Sequence, residues 1–436
     1  MGHLVGKPIY GKLGEKIDAF SYRAPWNSKL HAILAELYSV EDADVIIKMP
    51  YFFSTLDRIS SITGYERSRL RGIMGSLARR GLVIDILVNG DNHYTVSPLI
   101  VGIFEFTMMR SADAVDTKRW ARLFHDYLSD GALYEKNFSH GEKGGVLRTL
   151  PYEQAIKESD HVHILDYERA DDLIADQEKF ALELCTCRHE KHHLGEKKCD
   201  VPLDHCTTVG IFAESMIRNK LAREISRSEM KEKIAQSREL GVVLCADNVQ
   251  KRVNYICHCC GCCCNVLLGL SKHGYPNVVV TSNYIAEIDD DACSGCGKCA
   301  KACQVDAIRM EKIEQPQTRK KASPVLDRSI CLGCGLCALK CDPGALKLAF
   351  RGERVLTPET TFERLILQHA EAGTLVNQLF DNPRSIGHKF MRGFVGAFTK
   401  LAPVKKALVS DALRSRFFDA AKRLAVFQGK GWVIDL

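Results

Sequence analysis

The chain has 436 residues, of which 46% are apolar and 26% charged, and its formal net charge is +6. These values are typical of a globular protein with roughly two to four domains. No stretch reaches the roughly 18 apolar residues of a membrane-spanning helix, and the N-terminal residues lack the apolar core of a secretory signal. We therefore expect a cytoplasmic protein, in which clustered cysteines are metal ligands rather than disulfides.

The 19 cysteines lie only in the middle of the chain, between Cys185 and Cys341. Together with changes in composition, this distribution predicts an α+β, multi-domain protein. Its expected regions are a winged helix-turn-helix-like domain (1–110), a helical linker (111–184), a cysteine-rich metal-binding region (185–285), a domain with two matching cysteine sets (286–350) and a basic helical tail (351–436).

The first region carries signals for two helices followed by a hairpin. Apolar residues at helical spacing predict one helix over Leu56–Ile62 and a second over Arg67–Arg80, and "NGDN" between two β-rich runs predicts a hairpin. This order resembles a winged helix-turn-helix domain. Its second helix carries Arg67, Arg69 and Arg71, which are the candidates for nucleic-acid contact. A solvated helix face or a protein-docking face is the ordinary alternative, and nucleic acid is not the expected partner.

Two segments share the spacing C-x2-C-x2-C-x3-C, 38 residues apart. They consist of Cys293, Cys296, Cys299 and Cys303, and of Cys331, Cys334, Cys337 and Cys341. Three thiolates on a tight turn can cap three irons of a cubane, and a pair of zinc sites does not require such a repeat. This repeat resembles the bacterial two-cluster ferredoxin domain.

That resemblance implies two [4Fe–4S] clusters, each held by three cysteines of one half and the fourth cysteine of the other half. The implied ligand sets are Cys293, Cys296, Cys299 and Cys341 for one cluster, and Cys331, Cys334, Cys337 and Cys303 for the other. The sequence departs from the family in one respect. The proline expected directly after the fourth cysteine is Gln304 in the first half and is displaced to Pro343 in the second.

Upstream, four cysteines follow the pattern C-x-C-x11-C-x6-C and suit one metal centre. They are Cys185, Cys187, Cys199 and Cys206. Basic residues between them, such as Arg188, would offset the charge of bound thiolates. An iron–sulfur cluster and a zinc ion are both open interpretations of this group.

The stretch "CHCCGCCC" supplies six more candidate ligands, which are Cys257, Cys259, Cys260, Cys262, Cys263 and Cys264. Cys257, Cys260 and Cys263 have the spacing of a ferredoxin triplet, and the spacing predicts that they act together with one upstream cysteine. Cys259 and Cys262 form a second, offset pair. With Cys245, the region holds eleven thiols, which predicts one or two further iron–sulfur clusters.

The order of these motifs over residues 40–350 resembles a family of iron–sulfur proteins from anaerobes that are described as ferredoxin-type electron carriers. The resemblance implies an electron carrier. Several clusters in series suit electron transfer, so we expect a low-potential electron-transfer subunit of an anaerobic redox system, with redox proteins or a larger oxidoreductase complex as partners. No nucleotide-binding motif is found. Two alternatives stay open: a redox-sensing DNA-binding regulator, and a reductase with a catalytic cluster at Cys257–Cys264.

The basic excess of the chain lies in its tail. Residues 381–436 contain eleven Lys and Arg against four Asp, which is 11 − 4 = +7. Phe394, Phe398 and Leu401, with Lys400, Lys405 and Lys406 nearby, predict an amphipathic helix. Such a helix could dock on a partner subunit or lie peripherally on the inner face of a membrane, and packing on its own domain is the ordinary alternative.

Overall fold

A computed structural model describes residues 7–110, 116–139, 145, 147–313, 320, 322–399 and 411–435. Its contacts divide the chain into two units. Unit one consists of 1–144, 211–223 and 359–436, and unit two of 145–210 and 224–358. The mixture of helices and sheets agrees with the α+β prediction. Both units are built from separate stretches of the chain, and the five expected regions stay a prediction.

The helices in chain order are α1 (Lys7–Asp18), α2 (Ser28–Leu37), α3 (Val40–Lys48), α4 (Leu56–Thr63), α5 (Arg67–Arg79), α6 (Phe104–Met109), α7 (Thr117–Leu128), α8 (Ala132–Phe138), α9 (Ala170–Ala175), α10 (Thr186–His193), α11 (Gly210–Arg218), α12 (Arg227–Leu240), α13 (Asn265–Ser271), α14 (Lys298–Ala302), α15 (Leu336–Leu339), α16 (Thr361–Ala372), α17 (Leu375–Leu379), α18 (Ile386–Thr399) and α19 (Asp411–Phe427). The strands are β1 (Ser54–Thr55), β2 (Val83–Val88), β3 (Asp91–Val96), β4 (Leu147–Thr149), β5 (Phe180–Leu184), β6 (Asp204–Val209), β7 (Ala222–Glu224), β8 (Val243–Asp247), β9 (Tyr255–Cys259), β10 (Val279–Val280), β11 (Tyr284–Ile288), β12 (Ile308–Lys312), β13 (Ala322–Leu326) and β14 (Leu346–Phe350).

In unit one, the predicted helices and hairpin of the first region are present as α4, α5 and β2–β3. The Thr55 side chain caps α4 by accepting from the Arg58 N–H, and Gly64 ends this helix at φ 78°. The hairpin turn places Asn89 and Gly90 at φ 52° and 86°, as a tight two-residue turn requires. Strand β1 completes a sheet of order β1-β3-β2. The winged helix-turn-helix class itself stays a prediction.

Part of the basic tail is used for packing within unit one. The Asp381 carboxylate is almost fully buried and accepts from Arg58 at 2.8 and 2.9 Å and from Lys430 at 3.0 Å. Lys422 pairs with Glu363 at 2.7 Å. On α18, Ile386, Phe390 and Phe394 are exposed. The segment 400–410, with Lys400, Leu401, Lys405 and Lys406, lies outside the described residues. Within the described part of the chain, every helix is too short or too polar to cross a membrane.

A buried histidine in α16 predicts a pH dependence of stability. The His369 ring contacts the Thr374 hydroxyl at 2.8 Å, and burial lowers its pKa to about 3. An unfolded histidine titrates near 6.5, so the unfolded state binds a proton first as the pH falls. We expect the free energy of unfolding to decrease, by up to a few kcal/mol, between about pH 6.5 and 3. His369→Gln should flatten this part of the profile in denaturant titrations. The exposed His161→Gln should not, and equal profiles for both variants would contradict the assignment.

Unit two is built on an antiparallel sheet of order β4-β8-β9-β6-β5, to which β10 adds in parallel beside β4. The predicted helical character of 111–184 is wrong for β4 and β5. Both are short, and β5 ("FALEL") lacks the clean alternation that marks a strand, so pairing within the sheet decides their conformation. The antiparallel pairs β11–β14 and β12–β13 frame the matching cysteine sets.

Candidate metal centres

The cysteines of the repeat line two separate cavities, and each cavity draws on both halves of the repeat. The outer cavity is lined by Cys293, Cys296, Cys299 and Cys341. The inner cavity is lined by Cys303, Cys331, Cys334 and Cys337. Three cysteines of one half and the last cysteine of the other therefore meet in each. A set of four cysteines drawn from both halves of the repeat is the donor set of a ferredoxin-type cluster.

The two cavities differ in exposure. Cys296 of the outer cavity is exposed, and the backbone N–H of Lys298 lowers the pKa of its thiol. In the inner cavity, burial raises the pKa of Cys334 to about 12, so this thiol must release a proton when it binds a metal. Gly333, at φ 70°, has no room for a Cβ atom because the carbonyl oxygen of Tyr284 occupies that position.

The departure at Gln304 has a structural explanation. Its side-chain carbonyl accepts from the Gly261 N–H at 2.7 Å, and its amide donates to the Gly241 carbonyl at 2.9 Å. Gln304 follows Cys303 of the inner cavity, and Gly261 lies within "CHCCGCCC". A proline at position 304 could make neither bond. The side chain therefore joins the ferredoxin-like part of unit two to the cysteine-rich part.

We expect Gly261→Ala and Gln304→Pro to weaken this junction. A Cβ at position 261 would clash with the backbone carbonyl of Gln304, which cannot move away as a flexible side chain could. Each variant should lower the iron content and the thermal midpoint of unit two. The free energy of unfolding should fall by about 1–3 kcal/mol. Gly72→Ala, at an open helical position, is the matched control. Unchanged midpoints in both variants would refute the role of this contact.

The alternation of strand β9 separates the cysteines of "CHCCGCCC". Cys257 and Cys259 point to one face of the sheet, and His258 points to the other, where its Nδ1 lies 2.6 Å from Ser237 Oγ of α12. Cys257 is paired directly with Cys245 of β8, and Cys259 with Val243. After the strand ends, Cys260–Cys263 form a turn. The predicted triplet Cys257, Cys260 and Cys263 is therefore split, because its first member belongs to a strand.

One face of the sheet thus collects a group of thiols joined by successive pairwise contacts, here called the seven-thiol group. Cys185 contacts Cys206, Cys206 contacts Cys257, and Cys257 contacts Cys259. Cys259 in turn contacts both Cys245 and Cys264. Cys187 contacts Cys264. The group joins strands β6, β9 and β8 with the first turn of α10. A single cubane uses four thiolates, so seven exceed its needs.

The remaining four cysteines form the tetrathiol group of Cys199, Cys260, Cys262 and Cys263. Their sulfur atoms lie within 4.8 Å of one another. Val201 and Val242 pack against them. The predicted set Cys185, Cys187, Cys199 and Cys206 is therefore divided as well, with Cys199 in the tetrathiol group. Because the connection between Cys187 and Cys199 is long, tertiary packing and not sequence spacing decides which group Cys199 joins.

Arg188 lies between the two groups and is fully buried. It donates to the carbonyls of Pro202, at 3.2 Å, and His258, and its Nε has no hydrogen-bond partner among the described residues. Burial alone would lower the pKa of Arg188, but the thiols of Cys185, Cys206 and Cys260 outweigh burial and raise it. A buried cation needs an opposing charge, and these sulfur atoms provide one when they are thiolates.

Tyr152 connects the inner cavity with the seven-thiol group. Its N–H donates to the Cys334 carbonyl at 2.9 Å and its hydroxyl to the Val242 carbonyl at 2.8 Å. Burial, then the thiols of Cys334 and Cys245, raise the pKa of Tyr152. Val243 of β8 lines the inner cavity, and Cys245 follows two residues later on the same face. Two features have no local motif and were not found from the sequence: the role of Tyr152 and the structural place of Cys245. Gln304 was visible in the sequence only as a departure from the family's proline.

The arginines of α5 are partly engaged by acids of the same unit. Arg67 pairs with Asp57, and Arg69 with Glu41 at 2.5 Å. Glu66 caps the N-terminus of the helix, and its carboxylate accepts from the N–H groups of Ser68 and Arg69, at the position where a phosphate would bind. Arg71 is exposed. Nucleic-acid contact through these residues stays a prediction, and the contacts do not favour it.

Residues 292–345 match the family described as the 4Fe-4S dicluster domain. The matched segment contains the eight cysteines of both cavities. Comparison with curated proteins and with solved structures gives no significant match. The chain therefore carries an iron–sulfur domain of the ferredoxin type, and iron–sulfur electron transfer is the general chemistry that this domain supports.

Proposed function

We propose that the protein is a low-potential electron carrier of an anaerobic oxidoreductase system, with [4Fe–4S] clusters in the outer and inner cavities and at least one further cluster on the seven-thiol group. When bound, such clusters each take up and release one electron. The observation that carries the proposal is the order of the thiols from surface to interior. The outer cavity reaches the surface at Cys296, whereas the cysteines of the inner cavity are buried or half-buried. Tyr152 bonds to the Cys334 carbonyl, and Val243 of the cavity wall lies two residues before Cys245 on the same strand.

The surface around Cys296 is the expected contact for a redox protein in the cytoplasm. Lys298 and Asp342 form an exposed ion pair at its rim, so the rim carries both signs of charge and is open to solvent. A protein bound there would approach the outer cavity directly. Around the seven-thiol group, Arg188 and the buried polypeptide exclude water. The reduction potential of a cluster bound there would therefore depend more strongly on nearby charges.

A second candidate, a reductase, is supported by the size of the seven-thiol group. Seven thiols surpass the four ligands of an electron-relay cubane, as a larger or catalytic cluster would require. Electrons from the two cavities would then be used at this group. A spectral change of the third centre on adding a disulfide or another small oxidant would favour the reductase. An unchanged spectrum with rapid electron exchange would favour the carrier.

The proposal is tested by anaerobic titration with dithionite, with the EPR spectrum recorded after each addition. We expect uptake of at least about three electrons per chain, with reversible oxidation, since each cluster stores one. Cys296→Ser should weaken electron exchange with added redox dyes more than Cys245→Ser does, because only Cys296 is exposed. Uptake of two electrons or fewer would contradict the third cluster, and irreversible reduction would contradict the carrier.

A further inference from the structure

The sulfur spacing in the tetrathiol group distinguishes a single ion from a cluster. Cys199 Sγ lies 3.5 Å from Cys260 Sγ, and Cys262 Sγ lies 3.9 Å from Cys260 Sγ and 3.4 Å from Cys263 Sγ. Four thiolates about 2.3 Å from one tetrahedral ion lie about 3.8 Å apart. The thiolates that cap a cubane lie farther apart, at roughly 6 Å, because each binds a different iron. All the sulfur atoms of the group lie within 4.8 Å of one another, which is closer than a cubane requires, so the spacing favours the single ion.

We propose that Cys199, Cys260, Cys262 and Cys263 bind one tetrahedral metal ion, zinc or iron, as a closed centre separate from the iron–sulfur clusters. Four thiolate ligands complete the coordination, so no position is left for a substrate. The ion would fasten the loop that contains Cys199 to the turn that follows β9. This inference goes beyond the electron carrier and would stand if the outer and inner cavities held the only clusters.

The charges around the group suit such a centre. Four thiolates with one divalent ion carry a net charge of about −2. The buried Arg188 guanidinium lies against Cys260, and Lys197 donates to the Cys199 carbonyl. Packing by Val201 and Val242 shields the other side from water. Gly261 lies in the same turn and donates its N–H to the Gln304 side chain. A metal ion bound to this turn would therefore also hold Gly261 in place beside Gln304 of the inner cavity.

X-ray absorption of the anaerobically purified protein at the zinc and iron edges tests the inference without any variant. In the zinc case, we expect about one zinc per chain with four sulfur neighbours near 2.3 Å and no neighbouring metal. In the iron case, zinc is absent, and a mononuclear ferric tetrathiolate signal appears in EPR after oxidation. Absence of both signals would overturn the inference.

Variants then assign the ion to these residues. Cys262→Ser and the double variant Cys260→Ser/Cys263→Ser should reduce the single ion from about one per chain to near zero, while the EPR signals of the outer and inner clusters persist. Cys245→Ser, in the seven-thiol group, is the matched control and should retain the ion. Loss of about four irons with Cys262→Ser would indicate a cubane instead. An unchanged ion content in the double variant would also contradict the assignment.

Discussion

Replacing Arg188 with methionine is expected to remove metal from the cysteine-rich part of unit two and to lower its stability by roughly 3–5 kcal/mol, the usual cost of leaving buried charges without their partner. Methionine fills much of the same space but offers no cation to Cys185, Cys206 and Cys260. It also offers no donor to the carbonyls of Pro202 and His258.

The measurement is the metal content together with thermal unfolding under anaerobic conditions. Arg188→Met should lose the iron of the seven-thiol group, and the two signals from the outer and inner clusters should persist. Arg309→Met removes a largely exposed arginine of the same unit and serves as the control. If both variants kept their full metal content, the buried arginine would not be the counter-charge of the thiolates.

The second large effect is expected for the fourth cysteine of each half, Cys303 and Cys341, because each lines the cavity of the other half. Cys303→Ser should abolish the same EPR signal as Cys334→Ser, although residue 303 belongs to the first half of the repeat, because both line the inner cavity. Cys341→Ser should abolish the same signal as Cys296→Ser. Each variant should lose up to about four irons.

The alternative outcome has a clear signature. If each half of the repeat bound its own cluster with its own four cysteines, Cys303→Ser would affect the signal that Cys296→Ser affects. Such a result would refute the assignment of the two cavities. The four single variants form two matched pairs, so that a general loss of stability would appear in all of them equally and not in pairs.

The ferredoxin-like part could be predicted because its information is local. Each cavity takes three ligands from one tight turn, so the spacing from Cys293 to Cys299, and from Cys331 to Cys337, specifies the geometry. The crosswise role of Cys303 and Cys341 came from the resemblance and not from the spacing. The hairpin at Asn89 was predictable for the same local reason, since its two turn residues alone define it.

The cysteine-rich part could not be assigned in this way. The spacing of Cys257, Cys260 and Cys263 is that of a ferredoxin triplet, but Cys257 lies in β9, where alternation directs it to the opposite group. Cys199 approaches Cys260 across 61 residues of sequence, and no local pattern indicates such a contact. Sequence spacing therefore identified the candidate ligands, while the sheet decided how they are grouped.

Residues that support the centres were harder still to predict. Gln304 was visible only as a missing proline, and its bonds to Gly261 and Gly241 depend on the packing of two distant segments. Tyr152 belongs to a region that was expected to be helical. On α5, the charges of Arg67 and Arg69 suggested phosphate contacts, but their pairing with Asp57 and Glu41 depends on the tertiary fold.

We propose that the cysteine-rich part of unit two holds iron–sulfur chemistry in addition to the two ferredoxin-like cavities. It is tested most directly by counting iron and acid-labile sulfide in anaerobically purified protein, with EPR of the reduced form. We expect roughly twelve or more irons per chain, comparable sulfide, and signals from at least three interacting centres. About eight irons and two centres would contradict it, because all clusters would then lie in the outer and inner cavities.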